Sequence, residues 1–368
     1  MKITILSAVF HPQLHPRAFR ATELALEFAR QGHDVTEVNM KTIDGFDYEG
    51  YAKDHKLRII NLNLSRETAG SQLADTRKGW LGKVIYFVKY YMLCGKLFWK
   101  SSQIAKKLEC IKDEDLVIAL STPFEVHYGF AKYISKKGKS FIAIADSGDP
   151  FYYSKQTKRA IWFKYIEKWV YKQIDYLTIP TENAIPLYTK LIPKDKIIII
   201  PQGFDMSNLK LYEGERRNPV KFAYAGVFYW DIRNPKFLFD YLEKCEIDFE
   251  FHLFMRNRDN MLETLLHTYK KLPSKMLISY NIPHDELIYE LSKMHFLVNI
   301  ENLSNTQMPS KLIDYGMAGR PIFSCNEINF EDDKMKGFLT GDYKGRYHVD
   351  LNRYDIKNVV KQFVDLVR

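Results

Sequence analysis

Val220-Lys221-Phe222-Ala223-Tyr224-Ala225-Gly226 restarts the chain. This short apolar run closes on a glycine and follows a polar, charged stretch, 205–219, with the composition of a linker. Before the linker, apolar runs at 2–10, 34–40, 57–64, 115–120, 140–145, 175–180 and 196–200 alternate with helical patterns. The first helix, 18–31, carries Leu24, Leu26, Phe28 and Ala29 on its pattern and stops at Gly32. After Gly226 the alternation resumes. Helices at 235–244, 259–271, 284–294, 309–318 and 354–367 separate strands at 249–255, 276–280, 296–300 and 321–324. Short buried strands spaced by helices imply parallel sheets covered on both faces. The expected fold is α/β, with two Rossmann-like doubly wound domains, 1–205 and 206–368, facing a central cleft.

The bulk composition agrees. The chain has 368 residues, enough for two domains, and is 46 % hydrophobic and 27 % charged, as in globular proteins. Lys plus Arg number 54 against 45 acids, a formal charge of +9 that favours an anionic partner such as a phosphate or an acidic membrane face. Cys94, Cys110, Cys245 and Cys325 match no zinc spacing and are expected as free thiols in a reducing cytosol. Met1 to Leu6 is a first strand and no signal peptide, and no apolar run reaches the ~18 residues of a spanning helix. A cytoplasmic protein, touching a membrane only at its surface, is the expectation.

In doubly wound sheets, ligands bind beyond the carboxyl ends of strands, so the loops there carry the chemistry. After the strand at 296–300 comes Glu301, then Pro309-Ser310-Lys311-Leu312-Ile313-Asp314. Pro309 suits a first helical turn. The amides of Ser310, Lys311 and Leu312, with the Lys311 charge, would bind a phosphate, and Asp314 would accept from ribose hydroxyls. A capped helix with an exposed Lys and Asp explains the spacing equally. After Gly226, which permits close backbone approach, Arg233 precedes a helix, where its guanidinium could grip a diphosphate. After the first strand, His11 to Arg17 lacks the GxGxxG of a dinucleotide cradle, which argues against a nicotinamide or flavin enzyme. Arg17 and Arg20 open the next helix. Asp146-Ser147-Gly148-Asp149-Pro150 offers two carboxylates, each a candidate for catalysis or acceptor orientation, although turn chemistry also accounts for it. Residues 78–107 interleave aromatic and basic side chains, from Lys78 and Trp80 through Tyr86 to Lys107, with no acid between. That pattern fits a helix lying on anionic lipid, or a core helix whose lysines reach water. No nucleic-acid motif accompanies it.

These residues resemble a known family. Pro309-Ser310-Lys311-Leu312-Ile313-Asp314-Tyr315 through Gly319-Arg320-Pro321 resembles the P-x-K-L-x-E-Y-x-x-x-G-x-P signature of GT4-like glycosyltransferases of GT-B fold. Ala225-Gly226 with Arg233-Asn234-Pro235 is similar to the start of that family's donor domain. Arg20 to Ala25 with Gly32 to Thr36, and Ile200-Pro201-Gln202-Gly203-Phe204-Asp205, are similar to elements of its first domain. The resemblance implies transfer from a nucleoside-diphosphate sugar, without a metal or other cofactor, to a glycan or lipid-linked acceptor, as in bacterial surface polysaccharide synthesis. It places Arg233 and the Ser310–Leu312 amides on the diphosphate, Asp314 where the family has a ribose-binding Glu, and Glu301 as the loop carboxylate. Pro12 to Pro16 replaces the family's glycine loop. An epimerase of the same fold, or a non-catalytic relative, are the alternatives.

Overall fold

The computed structural model describes residues 1–367 except 65–79, 81–82, 85–86, 112, 155–157, 232, 259 and 303–310. It divides into two units, Met1–Asp205 with Tyr354–Arg368, and Met206–Arg353.

The first unit is a seven-stranded parallel sheet, ordered β3-β2-β1-β4-β5-β6-β7. Its strands are β1 (Lys2–Ser7), β2 (Asp34–Asn39), β3 (Arg58–Asn61), β4 (Leu116–Ser121), β5 (Ile142–Ser147), β6 (Tyr176–Ile179) and β7 (Ile197–Ile199). The second is a five-stranded parallel sheet, β10-β9-β8-β11-β12. These are β8 (Val220–Ala225), β9 (Phe249–Met255), β10 (Met276–Tyr280), β11 (Phe296–Ile300) and β12 (Ile322–Cys325). Helices flank each sheet, so both faces are apolar; Phe222 on β8 stacks on Phe251 of β9 and Phe296 of β11, with ring centroids 4.6 and 4.8 Å apart. Strand order reverses between β1 and β4 in one sheet and between β8 and β11 in the other, and loops diverging at such a point leave room for a ligand.

Two elements depart from the sequence reading. The expected second domain, 206–368, ends earlier, because helix Ile356–Asp365 packs in the first unit. Its Ile356, Val359, Val360 and Phe363 are buried with Ala21, Leu24 and Phe28. Asp355 caps it by accepting from the Lys357 amide at 2.9 Å. Gly203 makes the approach possible, since a Cβ there would meet the Ile356 Cα at 3.1 Å. The helix expected over 78–107 is broken: a π-helical turn, Phe87–Met92, is followed by Cys94 and Gly95, both at positive φ, and a helix resumes at Leu97–Lys107. Lys78 and Tyr86 of that stretch lie outside the described residues.

Glu37 on β2 is wholly buried. Its Oε1 accepts from the Ser7 hydroxyl, and its Oε2 has no hydrogen-bond partner. Burial pushes its carboxyl up to about 8 from an ordinary 4.5. Between those values the folded chain keeps a proton that the unfolded chain has lost, so stability falls as pH rises through this window. Urea unfolding at both ends of the window is expected to show Glu37→Gln about 2–4 kcal/mol more stable than the parent at the alkaline end and nearly equal to it at the acid end.

Candidate functional site

Two cations of the second unit, Arg233 and Lys311, lie at the carboxyl ends of β8 and β11, beside the switch point. β8 ends at Gly226, whose φ of +140° is a conformation that favours glycine. The chain then folds into a tight hairpin, the Tyr229 and Arg233 amides donating to each other's carbonyls at 3.2 and 3.0 Å. The hairpin fixes the Arg233 backbone. Its guanidinium donates through Nε to Asn302 Oδ1 at 2.9 Å and through an η nitrogen to the Val227 carbonyl at 3.3 Å.

Lys311, first residue of helix Lys311–Met317 beyond β11, is only 8 % exposed. The exposed lysine of the plain capped-helix reading is therefore absent. Its Nζ donates to the Ile300 carbonyl at 3.2 Å and lies 4.5 Å from the centroid of the Tyr224 ring. Among the described residues no carboxylate forms an ion pair with Lys311 or Arg233. Burial, then repulsion from Arg233, holds the amine well below the usual lysine range. Two cations near each other, bonded to neutral oxygens and a ring, with the Glu301 carboxylate near enough to act on Lys311 but not ion-paired to either, are arranged to receive a further anion.

Glu301, next after β11, lines a recess of about 40 Å³ with Arg233, Trp230, Phe237 and Asn326. Three donors from the β12 strand and turn hold its carboxylate: Ser324 Oγ at 2.7 Å, Asn326 Nδ2 at 3.1 Å and Asn329 Nδ2 at 3.4 Å. Leu312 is buried. Ser310 lies outside the described residues. Asp314, expected at a ribose, accepts from His284 Nε2 at 2.9 Å, and this bond raises the His284 imidazole. Tyr315 reaches back to β8, its hydroxyl accepting from the Ala225 amide at 2.7 Å, and ties the helix to the strand.

In the first unit Asp146 lies within β5, not in the loop after it. It is 2 % exposed, and Arg20 grips it bidentately at 2.9 and 2.6 Å. Thr178 donates to it at 2.8 Å, and Arg17 sits 3.2 Å away. Burial alone would raise the carboxyl, but Arg20 and Arg17 outweigh it and hold it below the usual range. A carboxylate so committed is a poor proton acceptor; Asp146 is placed as an anchor. Asp149, by contrast, is exposed. His11 stacks on Tyr51 with centroids 4.6 Å apart, and the His15 side chain accepts from the Arg17 amide at 3.1 Å, so both histidines are structural. Asn302, Ser324, Asn326, Asn329 and His284 carry no signal in the sequence; each meets its partner across 23 or more residues, Asn302 across 69. No local pattern marks such pairs. Among the described residues no group of His, Cys, Asp and Glu is placed to hold a metal ion.

No protein-family model matches the chain, and no curated protein matches it by sequence. Solved structures do match over all of it. A glycosyltransferase from Rickettsia africae superposes with a TM-score of 0.65 at 11 % identity, covering 100 % of this chain and 97 % of the other. The lipopolysaccharide outer core galactosyltransferase WaaB superposes with 0.60 at 13 %, and Anabaena HepE in complex with UDP with 0.59 at 9 %; each covers 100 % of this chain and 99 % of its own. The fold is thus the GT-B fold, two parallel sheets each flanked by helices.

Proposed function

We propose that the chain is a glycosyltransferase that takes a sugar from a nucleoside-diphosphate donor and passes it to a glycan or lipid-linked acceptor, in the synthesis of a bacterial surface polysaccharide. The observation that carries this reading is the pair Arg233 and Lys311, two neighbouring cations that form no ion pair with a carboxylate among the described residues, at the switch point of a sheet whose fold is shared with glycosyltransferases. HepE, of the same fold, is described in complex with UDP.

In the proposed reaction the bond from the anomeric carbon to the diphosphate oxygen breaks, and an acceptor hydroxyl forms the new bond and gives up its proton. Arg233 and Lys311 neutralise the charge growing on the departing diphosphate, where preorganised cations act most strongly. The Lys311 and Leu312 amides, at the start of helix Lys311–Met317, are proposed to face the same anion. Gly226 lets the backbone come close, and Glu301, immobilised by its three donors, orients a donor hydroxyl. Asp149, exposed beyond β5, is the proposed proton acceptor or acceptor-orienting group, and Asp146 supports the strand end beneath it. Asp314 reaches the ribose only by sharing its carboxylate with His284.

Arg233→Ala is expected to weaken UDP or GDP binding about 10- to 100-fold, the share of one charge-assisted contact, without altering the thermal midpoint of the free protein by more than a few degrees. Isothermal titration with a panel of nucleoside diphosphates checks it. Unchanged affinity in the variant contradicts the site. A donor panel with and without acceptor separates transfer from epimerisation, which needs no acceptor.

A further inference from the structure

The first unit exposes apolar side chains from two segments that meet. Phe87 and Leu93, from the turn before helix Leu97–Lys107, are 50 % and 47 % exposed; Ile161 and Tyr165, around the start of helix Trp162–Lys172, are 63 % and 65 % exposed. Trp99 and Trp162 are exposed beside them. The segments are bonded together: the Ala160 amide donates to the Tyr91 carbonyl at 3.3 Å, and the Trp162 indole to the Met92 carbonyl at 3.2 Å. Phe87 stacks on Tyr91, centroids 4.7 Å apart, and Phe98 meets the buried Phe163 at 6.2 Å. The inner faces are thus satisfied, while Phe87, Trp99, Ile161, Trp162 and Tyr165 each keep over a third of their surface exposed among the described residues.

The exposed charge carried by the two segments themselves has one sign, although Glu125 of the adjoining helix lies near Cys94. Residues 83–107 contain no acid. Residues 158–172 contain one, Glu167, which is wholly buried and accepts the Phe151 and Tyr152 amides at 3.0 and 2.8 Å. Lys89, Lys96, Lys158, Lys168 and Lys172 are exposed. Apolar patches on this scale mark interaction surfaces. A protein partner would be met by charges of both signs, or by none. Aromatic side chains on segments whose exposed charges are all basic fit the boundary of an anionic bilayer, where rings sit among headgroups and ammonium groups reach phosphate.

We propose that residues 87–99 and 160–168 together form a docking surface for an anionic lipid bilayer. The helix Trp162–Lys172 is half of this surface, although only 78–107 shows the pattern in the sequence. Lys107 is not part of it, since its amine turns inward to the Leu62 carbonyl. The surface stands independently of the diphosphate site.

Co-sedimentation with phosphatidylcholine vesicles, with and without phosphatidylglycerol, tests it. The whole chain is expected to bind only the anionic vesicles, and less so as salt rises. Lys96→Glu with Lys168→Glu is expected to lower partitioning about 30-fold or more. Ile161→Ser with Tyr165→Ser is expected to lower it about 10-fold. Both variants should keep the parent's thermal midpoint and nucleotide affinity, which shows that they are folded. Equal binding to neutral vesicles, no binding of the parent chain to either vesicle, or a dimer in sedimentation that both variants dissolve would overturn the proposal.

Discussion

Replacing Lys311 with methionine is expected to stabilise the free protein and, in the same molecule, to weaken nucleoside diphosphate binding about 30-fold or more. Both effects have one cause. The amine is 8 % exposed, faces a carbonyl and a ring, and is repelled by Arg233. A buried cation without a carboxylate destabilises the empty fold. Methionine has a similar volume and no charge, so the empty fold should gain about 1–3 kcal/mol, read as a higher midpoint in thermal or urea unfolding. The bound state should lose about 2 kcal/mol or more, because the buried charge-assisted contact to phosphate is gone. The pH dependence follows from the same shift. A diphosphate raises the depressed amine, so binding takes up a proton in the range where the free amine is neutral and the occupied one charged. Affinity is therefore greatest at low pH and falls as pH climbs through that range. Calorimetry in buffers of different ionisation enthalpy reads the proton directly. A variant that loses stability and keeps affinity would mean that Lys311 is an ordinary structural lysine.

Asp146→Asn is expected to destabilise the chain by about 3–5 kcal/mol, because it leaves the guanidinium of Arg20 buried without its counter-charge. Arg20 is 3 % exposed at its side chain and spends two bonds on Asp146 and others on the Ile200 and Pro201 carbonyls. The pair therefore joins the first helix, β5 and the end of β7. For a chain of this size the midpoint should fall by roughly 10 °C. Adding Arg20→Met should recover part of the loss, since the uncompensated charge goes with it. Were Asp146 a catalytic base instead, the Asn variant would keep its midpoint and lose turnover. Asp149→Asn is the matching control: that exposed carboxylate should cost turnover and leave the midpoint almost unmoved.

The contrast between those two aspartates shows where the sequence speaks. β9, β10 and β11 have the bounds that their apolar runs imply, 249–255, 276–280 and 296–300. β5 does not; it runs to Ser147 rather than 145. Asp146 and Ser147 look like loop residues because they are polar, but Arg20, Thr178 and Tyr188 satisfy them inside the sheet. The last helix shows a related limit. The pattern of Ile356, Val359, Val360 and Phe363 says that one face is buried and is silent about which unit buries it. At the candidate site, Arg233 and Lys311 are legible from their place after a strand, whereas the burial of Lys311 and the three donors that fix Glu301 arise only when distant loops converge.

A crystal structure with UDP bound measures the central claim most directly. The diphosphate is expected within hydrogen-bonding distance of both Lys311 Nζ and the Arg233 guanidinium, at the carboxyl ends of β8 and β11. UDP seated elsewhere on the chain, with Lys311 still on the Ile300 carbonyl and Arg233 still on Asn302 and the Val227 carbonyl, would contradict it.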